Sequence, residues 1–451
     1  MLLFWEANNP MKKHILALSL IFLLIGAGVV YWLTRPDEAR LAAGQDVGKE
    51  PVFTAPRPQW MPTVAVANAI GWQAGQAPIA AKGLGVAPFA EGLDHPRSLL
   101  KLPNGDILVA ETNSPPRPDS GIVAKAMNYF MGKAGAGGPS ANRITLLRDA
   151  DKDGKAEVKT VFLTGLNSPY GMALVGDTLY VANTDAVMAF PYKAGETKIS
   201  DKGRKVITLP HGAPNMHWTR NLLASPDGKL LYVSIGSNSN IAENGLDTEA
   251  NRAAIIEVNL ETGDNRVFAS GLRNPVGMAW NPVTSTLWAV VNERDGLGSD
   301  LVPDFLTRVE FGGFYGWPWN YWGGYEDKRV EPGRPELREY THRPDYALGN
   351  HVAPLGLTFA TGSQLGAPFE TGAFVGLHGS WNRVPRQGYK VVFVPFDAKG
   401  APQGKPIDVL TGFLSSDEKA QGRPVDVLID PQGALLVSDD VGGRIWRVSR
   451  K

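Results

Sequence analysis

The stretch GLRNPVGMAW, residues 271–280, repeats a frame that occurs elsewhere in the chain. GLDHP at 92–96 and GLNSP at 165–169 share its G-L-x-x-P spacing, whereas only the copy at 271–275 carries Arg and Asn in the variable positions. A short apolar strand, a turn and a second strand follow each frame. A supersecondary unit that recurs along one chain is typical of repeat architectures.

Units of this kind can be aligned at six starts, which are Ser98, Gly171, Asn221, Gly277, Gly356 and Asp426. Each has two strands and enough chain for two more, as in a four-stranded blade. The sequence therefore predicts an all-β fold, a six-bladed β-propeller over residues 85–451, with an N-terminal transmembrane helix before it. An early strand near residues 85–90 is expected to close the ring, and a β-sandwich would not explain the repeats.

In five of the six units a proline lies two residues before the start, and the third unit has Thr219 there instead. The first strand of each propeller blade lines the central channel, so the residues before that position should surround one channel mouth. They are Asp94-His95, Asn167-Ser168, His217-Trp218, Arg273-Asn274, Val352-Ala353 and Gly422-Arg423. One His and two Arg from different blades indicate a site for an anionic ligand with proton transfer beside it. The alternative for each side chain alone is a solvated residue near a turn.

Composition excludes several classes of protein. The 451 residues include 45 basic and 45 acidic side chains, so the basic excess typical of nucleic-acid binding is absent. The lack of cysteine excludes disulfides, thiolate metal sites and a cysteine nucleophile. We find neither the serine-hydrolase elbow nor a phosphate-binding glycine loop in its required context.

The N-terminus predicts membrane association. Lys12 and Lys13 precede an apolar run over 15–33, which is about long enough to span a bilayer and ends in aromatic residues. We interpret residues 1–14 as cytoplasmic, 15–33 as a transmembrane signal-anchor and 34–84 as an Ala/Pro-rich tether. The propeller is then expected in the periplasm, anchored to the inner membrane, and export after signal cleavage is the alternative.

Two acidic segments are candidate cation sites. The loop 292–324 contains Glu293, Asp295, Asp300 and Asp304, and glycines such as Gly296 let backbone carbonyls turn inward, a mixture that calcium prefers. A solvated acidic loop is the alternative, although the aromatic cluster at 314–319 favours burial. DADKDGKAE at 149–157 begins like an EF-hand loop but has Thr160 at the twelfth position, so we predict an acidic turn, with weak calcium binding as the alternative.

These motifs resemble the quinoprotein sugar dehydrogenases that use pyrroloquinoline quinone (PQQ) and calcium, in particular the sorbosone dehydrogenase-like branch. The segments that carry the resemblance are GLRNPVGMAW, NMHWTRNLLASPDG, FGGFYGWP, FVGLHGSWNR and GRPVDVLIDPQG, and it covers residues 88–450. The resemblance implies a six-bladed propeller with the quinone at the channel mouth.

The resemblance also implies residue roles. His217 matches the base that takes the substrate hydroxyl proton, and Arg273 matches the residue that stabilises the reduced quinone oxygen. Asn274 and Arg423 match further cofactor-binding positions. Asn382 and Arg383 lie where the family has a cofactor-binding lysine and are expected to replace it. Metal candidates are Asp295 and Gly296 from the loop composition, and Asp304 and Tyr315 from the family. The chain departs from the soluble glucose dehydrogenases at Ser237, near which they carry Asp.

The function implied is oxidation of an aldose or related sugar aldehyde, sorbosone-like, at C1, by hydride transfer to PQQ in a calcium-dependent site. Electrons would pass to a cytochrome or a membrane quinone. Two other classes stay open: a calcium-dependent propeller lactonase or esterase, and a non-catalytic ligand-binding propeller.

Overall fold

The fold is a closed ring of six β-sheets, seen in a computed structural model that describes residues 10–58, 63–116 and 121–451. The strands of each blade are listed from the channel outwards. Blade 1 has Pro96–Lys101, Ile107–Glu111, Arg143–Arg148 and Val158–Leu163; blade 2 has Met172–Val175, Thr178–Ala182, Ala186–Pro191 and Arg204–Thr208; blade 3 has Arg220–Ala224, Leu230–Ile235, Ala254–Asn259 and Asn265–Ser270. Blade 4 has Pro275–Trp280, Leu287–Val291, Pro303–Val309 and Tyr346–Asn350; blade 5 has Pro354–Phe359, Gly372–Leu377, Lys390–Pro395 and Ile407–Thr411; blade 6 has Pro424–Ile429, Leu435–Asp439, Arg444–Arg450 and Leu84–Glu91. The six-bladed propeller prediction is confirmed.

Blade 6 is built from both ends of the propeller sequence. Its outer strand, Leu84–Glu91, pairs antiparallel with Arg444–Arg450 from Arg444↔Glu91 to Arg450↔Leu84. The predicted early closing strand is therefore present, and the ring is closed by hydrogen bonds between distant parts of the chain.

The aligned repeat starts mark where neighbouring blades approach most closely. A Cβ on Gly171 would lie 2.3 Å from Leu222 N, and one on Gly356 would lie 2.6 Å from Asp426 Cα. Gly277 meets the backbone of blade 5 in the same way, at 2.8 Å from Leu357 N. Glycine is needed at these positions because any side chain would push the inner strands apart.

Large aromatic rings fill the spaces between blades. Between blades 4 and 5, Trp288 packs edge-on against Phe396 and Phe359, at centroid distances of 5.1 and 6.5 Å. Trp446 of blade 6 is fully buried and packs edge-on against Trp72 at 5.4 Å. These contacts bury large apolar areas and fix the blades relative to one another.

Among the described residues, two α-helices lie outside the sheets. α1, Pro10–Thr34, includes an apolar 18-residue window, His14–Tyr31, that is long and hydrophobic enough to cross a membrane. It contains the predicted 15–33 segment, whereas residues 1–9 of the predicted cytoplasmic part lie outside the described residues. α2, Ile122–Lys133, connects the second and third strands of blade 1 and was not predicted. Short 3-10 helices cover Leu246–Glu249 and Pro335–Tyr340, and a small ladder joins Asn320–Tyr321 to Tyr325–Glu326.

The predicted tether is packed against the propeller. Its described residues, 35–58 and 63–82, form a strap, in which Val47–Gly48 adds a fifth strand to blade 4 and Ile79–Ala80 adds one to blade 5. The structure adds to the interpretation of 34–84 as a tether, because partly buried polar contacts hold its described residues against the propeller. Asp300, for example, accepts hydrogen bonds from the backbone of Arg40 at 2.7 Å and Leu41 at 3.3 Å.

Candidate functional site

The channel mouth is formed where the inner strands begin and where each second strand connects to the third. His217, Arg273, Asn274 and Arg423 precede the inner strands of blades 3, 4 and 6, as the repeat alignment predicts. The connecting loops 292–302 and 378–389 reach the same mouth from blades 4 and 5. Side chains distant in sequence therefore meet at one end of the channel.

His217 is held in one tautomer by its neighbours. Its Nδ1 lies 2.9 Å from the carbonyl oxygen of Ser237 and 3.0 Å from Ser237 Oγ. The Ser237 hydroxyl donates its single hydrogen to the carbonyl oxygen of Ser239 at 2.6 Å, so towards His217 it can only accept. Nδ1 must then carry the proton, which leaves Nε2 as a lone-pair acceptor. Nε2 forms no hydrogen bond with any residue in the described part of the chain.

The electrostatic surroundings keep His217 neutral. Burial in the mouth, followed by the positive charge of Arg273, lowers the pKa of His217 well below its ordinary value. The imidazole is half-buried overall, although it sits deep in the concave mouth, where few waters can stabilise a positive charge. A neutral imidazole with a free Nε2 is equipped to accept a proton near neutral pH.

Arg273 is rigidly held and almost entirely buried, with 3% of its surface exposed. Its guanidinium donates to the carbonyl oxygens of Asn240 at 3.1 Å, Asn292 at 3.3 Å and Glu293 at 2.7 Å. It also donates to Asn240 Oδ1 at 2.9 Å and to Asp295 Oδ2 at 3.3 Å. The protein thus fixes this positive charge beside His217, and a direct hydrogen bond to a ligand would have to replace one of these five bonds.

Asn274 is the second residue of the unusual Arg-Asn pair. Its Oδ1 is buried and has no hydrogen-bond partner among the described residues. A Cβ on Gly236 would lie 2.3 Å from this oxygen and 2.5 Å from His217 Cβ, so Gly236 lets the two side chains come together. A buried amide oxygen without a partner is costly in a folded protein and indicates a missing donor.

Asp295 connects the loops of blades 4 and 5. Its Oδ1 accepts a hydrogen bond from Asn382 Nδ2 at 2.5 Å and lies 3.5 Å from His351 Nδ1. Burial acts to raise the pKa of Asp295, but the hydrogen bond of His351 and the charge of Arg273 outweigh it and hold the pKa below its ordinary value. Burial acts to lower the pKa of His351, and Asp295 reverses the direction and raises it. We call these residues, with His217 and Arg273, the His217 cluster.

Arg423 provides a different kind of positive charge. Only 5% of its surface is exposed, and no carboxylate of the described residues lies within ion-pair distance. Its Nη2 donates to Tyr389 Oη at 3.1 Å, with the guanidinium carbon 5.2 Å from the centre of that ring, whereas its Nε has no partner. A buried cation that lacks a counterion favours the binding of an anion.

The backbone N–H of Asp440 donates to the carbonyl oxygen of Arg423 at 3.4 Å, which places Asp440 and the side chains bound to it beside Arg423. Asp440 accepts hydrogen bonds from Arg97 Nη1 at 2.6 Å and His378 Nε2 at 2.9 Å, while its Oδ1 is buried without a partner. Burial lowers the pKa of His378 to about 4. Arg97 also lies over the rings of Tyr170 and Trp218, at 5.7 and 5.9 Å from their centres. Trp218 is adjacent to His217 in sequence, so this Arg423 cluster (Arg423, Asp440, His378, Arg97) and the His217 cluster occupy one mouth.

Of the predicted metal residues, Asp304 lies close enough to Asp295 for that carboxylate to help raise its pKa, whereas Tyr315 does not join them. Asp304 uses both oxygens to accept the backbone N–H groups of Glu293 at 2.7 Å and Ala353 at 2.8 Å, and burial raises its pKa to about 7. Tyr315 Oη donates to the carbonyl oxygen of Arg308. Arg308 lies four residues after Asp304 on the same strand, so this hydrogen bond is about 13 Å from Asp304. The Asp304 side chain thus links mouth segments of blades 4 and 5, and the Tyr315 side chain supports the backbone of blade 4. Asp295 and Gly296 remain at the mouth.

Arg383 lies at the rim of the mouth. Its Nε donates to the carbonyl oxygen of Ser299 at 3.1 Å and its Nη1 to that of Pro385 at 2.6 Å. Burial lowers its pKa, although Asp46 and Asp300 act in the opposite direction. The residue joins the loops of blades 4 and 5 below the strap, whereas its neighbour Asn382 contacts Asp295.

The acidic turn at 149–157 brings four carboxylates together, away from the mouth. Ligand atoms of Asp149, Asp151, Asp153 and Glu157 lie within 4.8 Å of one another. In the described part of the chain this is the only group of three or more acidic, His or Cys side chains with metal-ligand spacing. The prediction for this segment stays an acidic turn, with weak calcium binding as the alternative.

Sequence reasoning missed several residues of the mouth. Asn240, His351, His378 and Asp440 all lie in connections between strands, and the alignment considered only residues that precede the inner strands. His351 stands one residue before the Val352-Ala353 position. His378 and Asp440 each directly follow the second strand of their blade. This position is shared by the repeats and could have identified them.

A cavity of about 210 Å³ opens beside the His217 cluster. It is lined by Trp218 and by loops of blades 1–3, namely Ser114–Pro116, Asn167, Thr184, Asp185 and His211–Asn215. The cavity adjoins the mouth at Trp218, on the side of blades 2 and 3, and can admit a small polar molecule.

The TrAA12-like family model matches residues 137–304 and 336–451. A pyrroloquinoline quinone-dependent sugar dehydrogenase of Hypocrea jecorina is 24% identical over 82% of this chain and 89% of its own length. A pyrroloquinoline quinone-dependent pyranose dehydrogenase of Coprinopsis cinerea is also 24% identical over 82% of this chain, which spans about half (54%) of that relative.

Solved structures show the same fold. The holo form of a pyranose dehydrogenase PQQ domain from Coprinopsis cinerea has a TM-score of 0.67 at 22% identity, covering 85% of this chain and 100% of its own. The calcium structure of the Trichoderma reesei family AA12 enzyme has the same TM-score and identity, covering 86% and 99%.

The relationship to PQQ-dependent sugar dehydrogenases, predicted from the mouth motifs, is confirmed by these relatives, although none of them singles out a sorbosone dehydrogenase-like branch. With its family model matched across most of the propeller, the chain belongs to the TrAA12-like family.

Proposed function

We propose that this protein is a PQQ-dependent dehydrogenase that oxidises a sugar at the channel mouth, with His217 as the proton acceptor. The observation that carries the proposal is the pairing of a neutral His217 with a buried Arg423, since no described residue binds Nε2 of the one or serves as counterion to the other. The family relationship supplies the class of cofactor.

The mouth fits a planar, polycarboxylate cofactor. Arg423 supplies an uncompensated charge with an unused N–H at Nε, and Asn274 supplies an unused amide oxygen. Bound PQQ would act as the two-electron acceptor for the substrate hydride. Arg423 and Asn274 would hold it, and Asn382 would orient the site through Asp295.

Residues of the chain accept the proton of the sugar hydroxyl and stabilise the negative charge that develops on oxygen. His217 Nε2 accepts the hydroxyl proton of the sugar, and Ser237 prevents the ring from presenting a protonated nitrogen there. Arg273 places a fixed positive charge beside the reacting atoms, which favours negative charge developing on oxygen. Trp218 gives the cavity an aromatic wall, a surface on which sugar rings pack.

Calcium dependence is proposed with a smaller ligand set than predicted. Tyr315 does not fit a shared coordination sphere with Asp295, because its hydroxyl donates to Arg308 in blade 4, and both oxygens of Asp304 already accept the backbone N–H groups of Glu293 and Ala353. Asp295 and the Gly296 carbonyl are the remaining candidates, and no step of the proposed reaction depends on them. The calcium structure of the Trichoderma reesei enzyme supports testing the ion.

The finer assignments are proposals as well. The substrate is an aldose or related sugar aldehyde oxidised at C1, with sorbosone among the compounds to test. Electrons would leave to a cytochrome or a membrane quinone, and α1 would hold the propeller at the periplasmic side of the inner membrane. The apolar window His14–Tyr31 supports that location.

The test adds PQQ, with and without calcium, to the purified protein. Cofactor binding is followed by PQQ absorbance, and turnover by dye reduction with a panel of sugars that includes glucose, galactose and sorbosone. We expect binding and dye reduction with at least one sugar. Absence of PQQ binding would refute the proposal, and hydrolysis of lactones with calcium alone would support the lactonase class instead.

His217→Gln separates chemistry from binding. It should reduce dye reduction by at least about 100-fold, the usual contribution of a positioned base, while PQQ still binds. His342→Gln is the matched control, because His342 is exposed and contacts Tyr315 at a tilted angle, away from the mouth. Wild-type turnover in His217→Gln would contradict the assigned role.

A further inference from the structure

The strap begins on the rim of the channel mouth. Ser299 N donates to Asp37 Oδ2 at 2.7 Å, and Ser299 Oγ donates to the carbonyl oxygen of Asp37 at 2.6 Å. Ser299 belongs to the loop that carries Asp295. Since α1 ends at Thr34, at most about 11 Å of chain separates the helix from this contact. The blade 4 side of the mouth therefore lies close to the end of α1.

α2 lies on the same face of the propeller, at the opposite side of the ring. It connects the second and third strands of blade 1, and connections of this kind all emerge at the mouth. The backbone N–H of strap residue Ala69 donates to the carbonyl oxygen of Lys133 at 2.8 Å. His95 Nε2 lies 2.5 Å from the carbonyl oxygen of Gly135, just beyond the helix. These contacts fix α2 to the rim.

The exposed side chains of α2 are suited to binding a surface that is negatively charged and partly apolar. The helix contains Lys125 and Lys133 and no acidic residue, and neither lysine forms an ion pair with a described residue. Tyr129 is 59% exposed, with Lys133 Nζ 4.6 Å from the centre of its ring. Exposed aromatic residues next to lysines are typical of helices that lie in the headgroup region of a bilayer.

We propose that the mouth face lies against an anionic bilayer, held by α1 beside blade 4 and by α2 beside blade 1. Blades 1 and 4 are opposite each other in a ring of six, so contacts at both make the face lie parallel to the membrane. The strap hydrogen-bonds to blades 4, 5, 6 and 1. Substrate then enters from the side of blades 2 and 3, where the cavity beside Trp218 opens. The inference rests on the proposed membrane location but not on the proposed chemistry.

The chain has no cysteine, so single-cysteine labelling can test this orientation. The full chain with Tyr129→Cys is labelled with an environment-sensitive fluorophore and reconstituted in phosphatidylcholine–phosphatidylglycerol vesicles. Lipids with a nitroxide quencher are then added. Glu261→Cys, on an exposed turn at the opposite face, is the control, and Ala126→Cys repeats the measurement with Tyr129 intact.

We expect quenching by the nitroxide lipid to be several-fold stronger at positions 129 and 126 than at 261, and Lys125→Glu with Lys133→Glu to reduce it. Equal quenching at all positions would refute the proposal. Protection of position 129 from aqueous iodide without lipid quenching would also refute it, because a protein surface would then cover α2. No cofactor or turnover is needed, so loss of the proposed chemistry leaves this result unaffected.

Discussion

At the scale of single residues, replacing Arg423 should affect PQQ binding and protein stability in different ways. Without a counterion its burial costs free energy, so Arg423→Met should leave the melting temperature of the cofactor-free protein unchanged or higher. The same change should weaken PQQ binding at least tenfold, or about 1.4 kcal/mol. Thermal unfolding and PQQ titration measure the two effects. Arg308→Met, at an exposed pair with Asp345, is the control. A less stable variant with unchanged PQQ affinity would contradict the assignment.

His217 makes a prediction for the pH dependence of turnover. Its pKa is lowered in the folded protein, so the neutral form that accepts a proton persists as pH falls through 6.5. We therefore expect kcat/KM to stay nearly constant between about pH 7.5 and 6. An unperturbed histidine would titrate in this range, and kcat/KM would then fall as the pH decreases. The pH profile of the wild type is compared with the residual activity of His217→Gln. A fall in kcat/KM with a midpoint near 6.5 would show that the mouth does not depress this pKa.

At the scale of elements, the inner strands depend on glycine. A Cβ on Gly356 would lie 2.6 Å from Asp426 Cα and 2.6 Å from the carbonyl oxygen of Val425, both backbone atoms that cannot move freely. Gly356→Ala should therefore destabilise the protein by about 2 kcal/mol or more. Gly333→Ala, which has only Glu326 Oε1 at 4.0 Å, is the matched control and should be neutral. Equal unfolding free energies for the two variants would disprove the close approach of blades 5 and 6.

The repeat elements were predictable because their information is local. A strand, a turn and a second strand recur within about twenty residues of each frame, so the blades and the positions of His217, Arg273 and Arg423 follow from the alignment. Asn240 and His378 lie in loops of different lengths, where alignment fails. The strap was missed because its contacts are made one at a time with distant residues and leave no period in the sequence.

At the scale of the whole molecule, all six blades share one closure. The pairing of Leu84–Glu91 with Arg444–Arg450 joins strands that are about 360 residues apart, so every blade gains stability when it forms. Ending the chain after Gly443 should abolish the single cooperative unfolding transition, as measured by calorimetry. Deletion of Lys451 alone keeps the strand and serves as the control. A single transition at the wild-type temperature in the truncated protein would show that the blades are stable without closure.

Closure of the ring also depends on the order in which its two pairing strands are synthesised. Leu84–Glu91 is synthesised before every other blade strand, and the strand that pairs with it follows all of them in the chain. During that interval the early strand exposes an unpaired edge, the kind of surface that promotes association with other strands. A growing chain therefore contains His217 and Arg273 long before it contains a mouth. Ligand loading is consequently a property of the finished ring, and a chain that stalls late in synthesis is an aggregation hazard rather than a partly active protein.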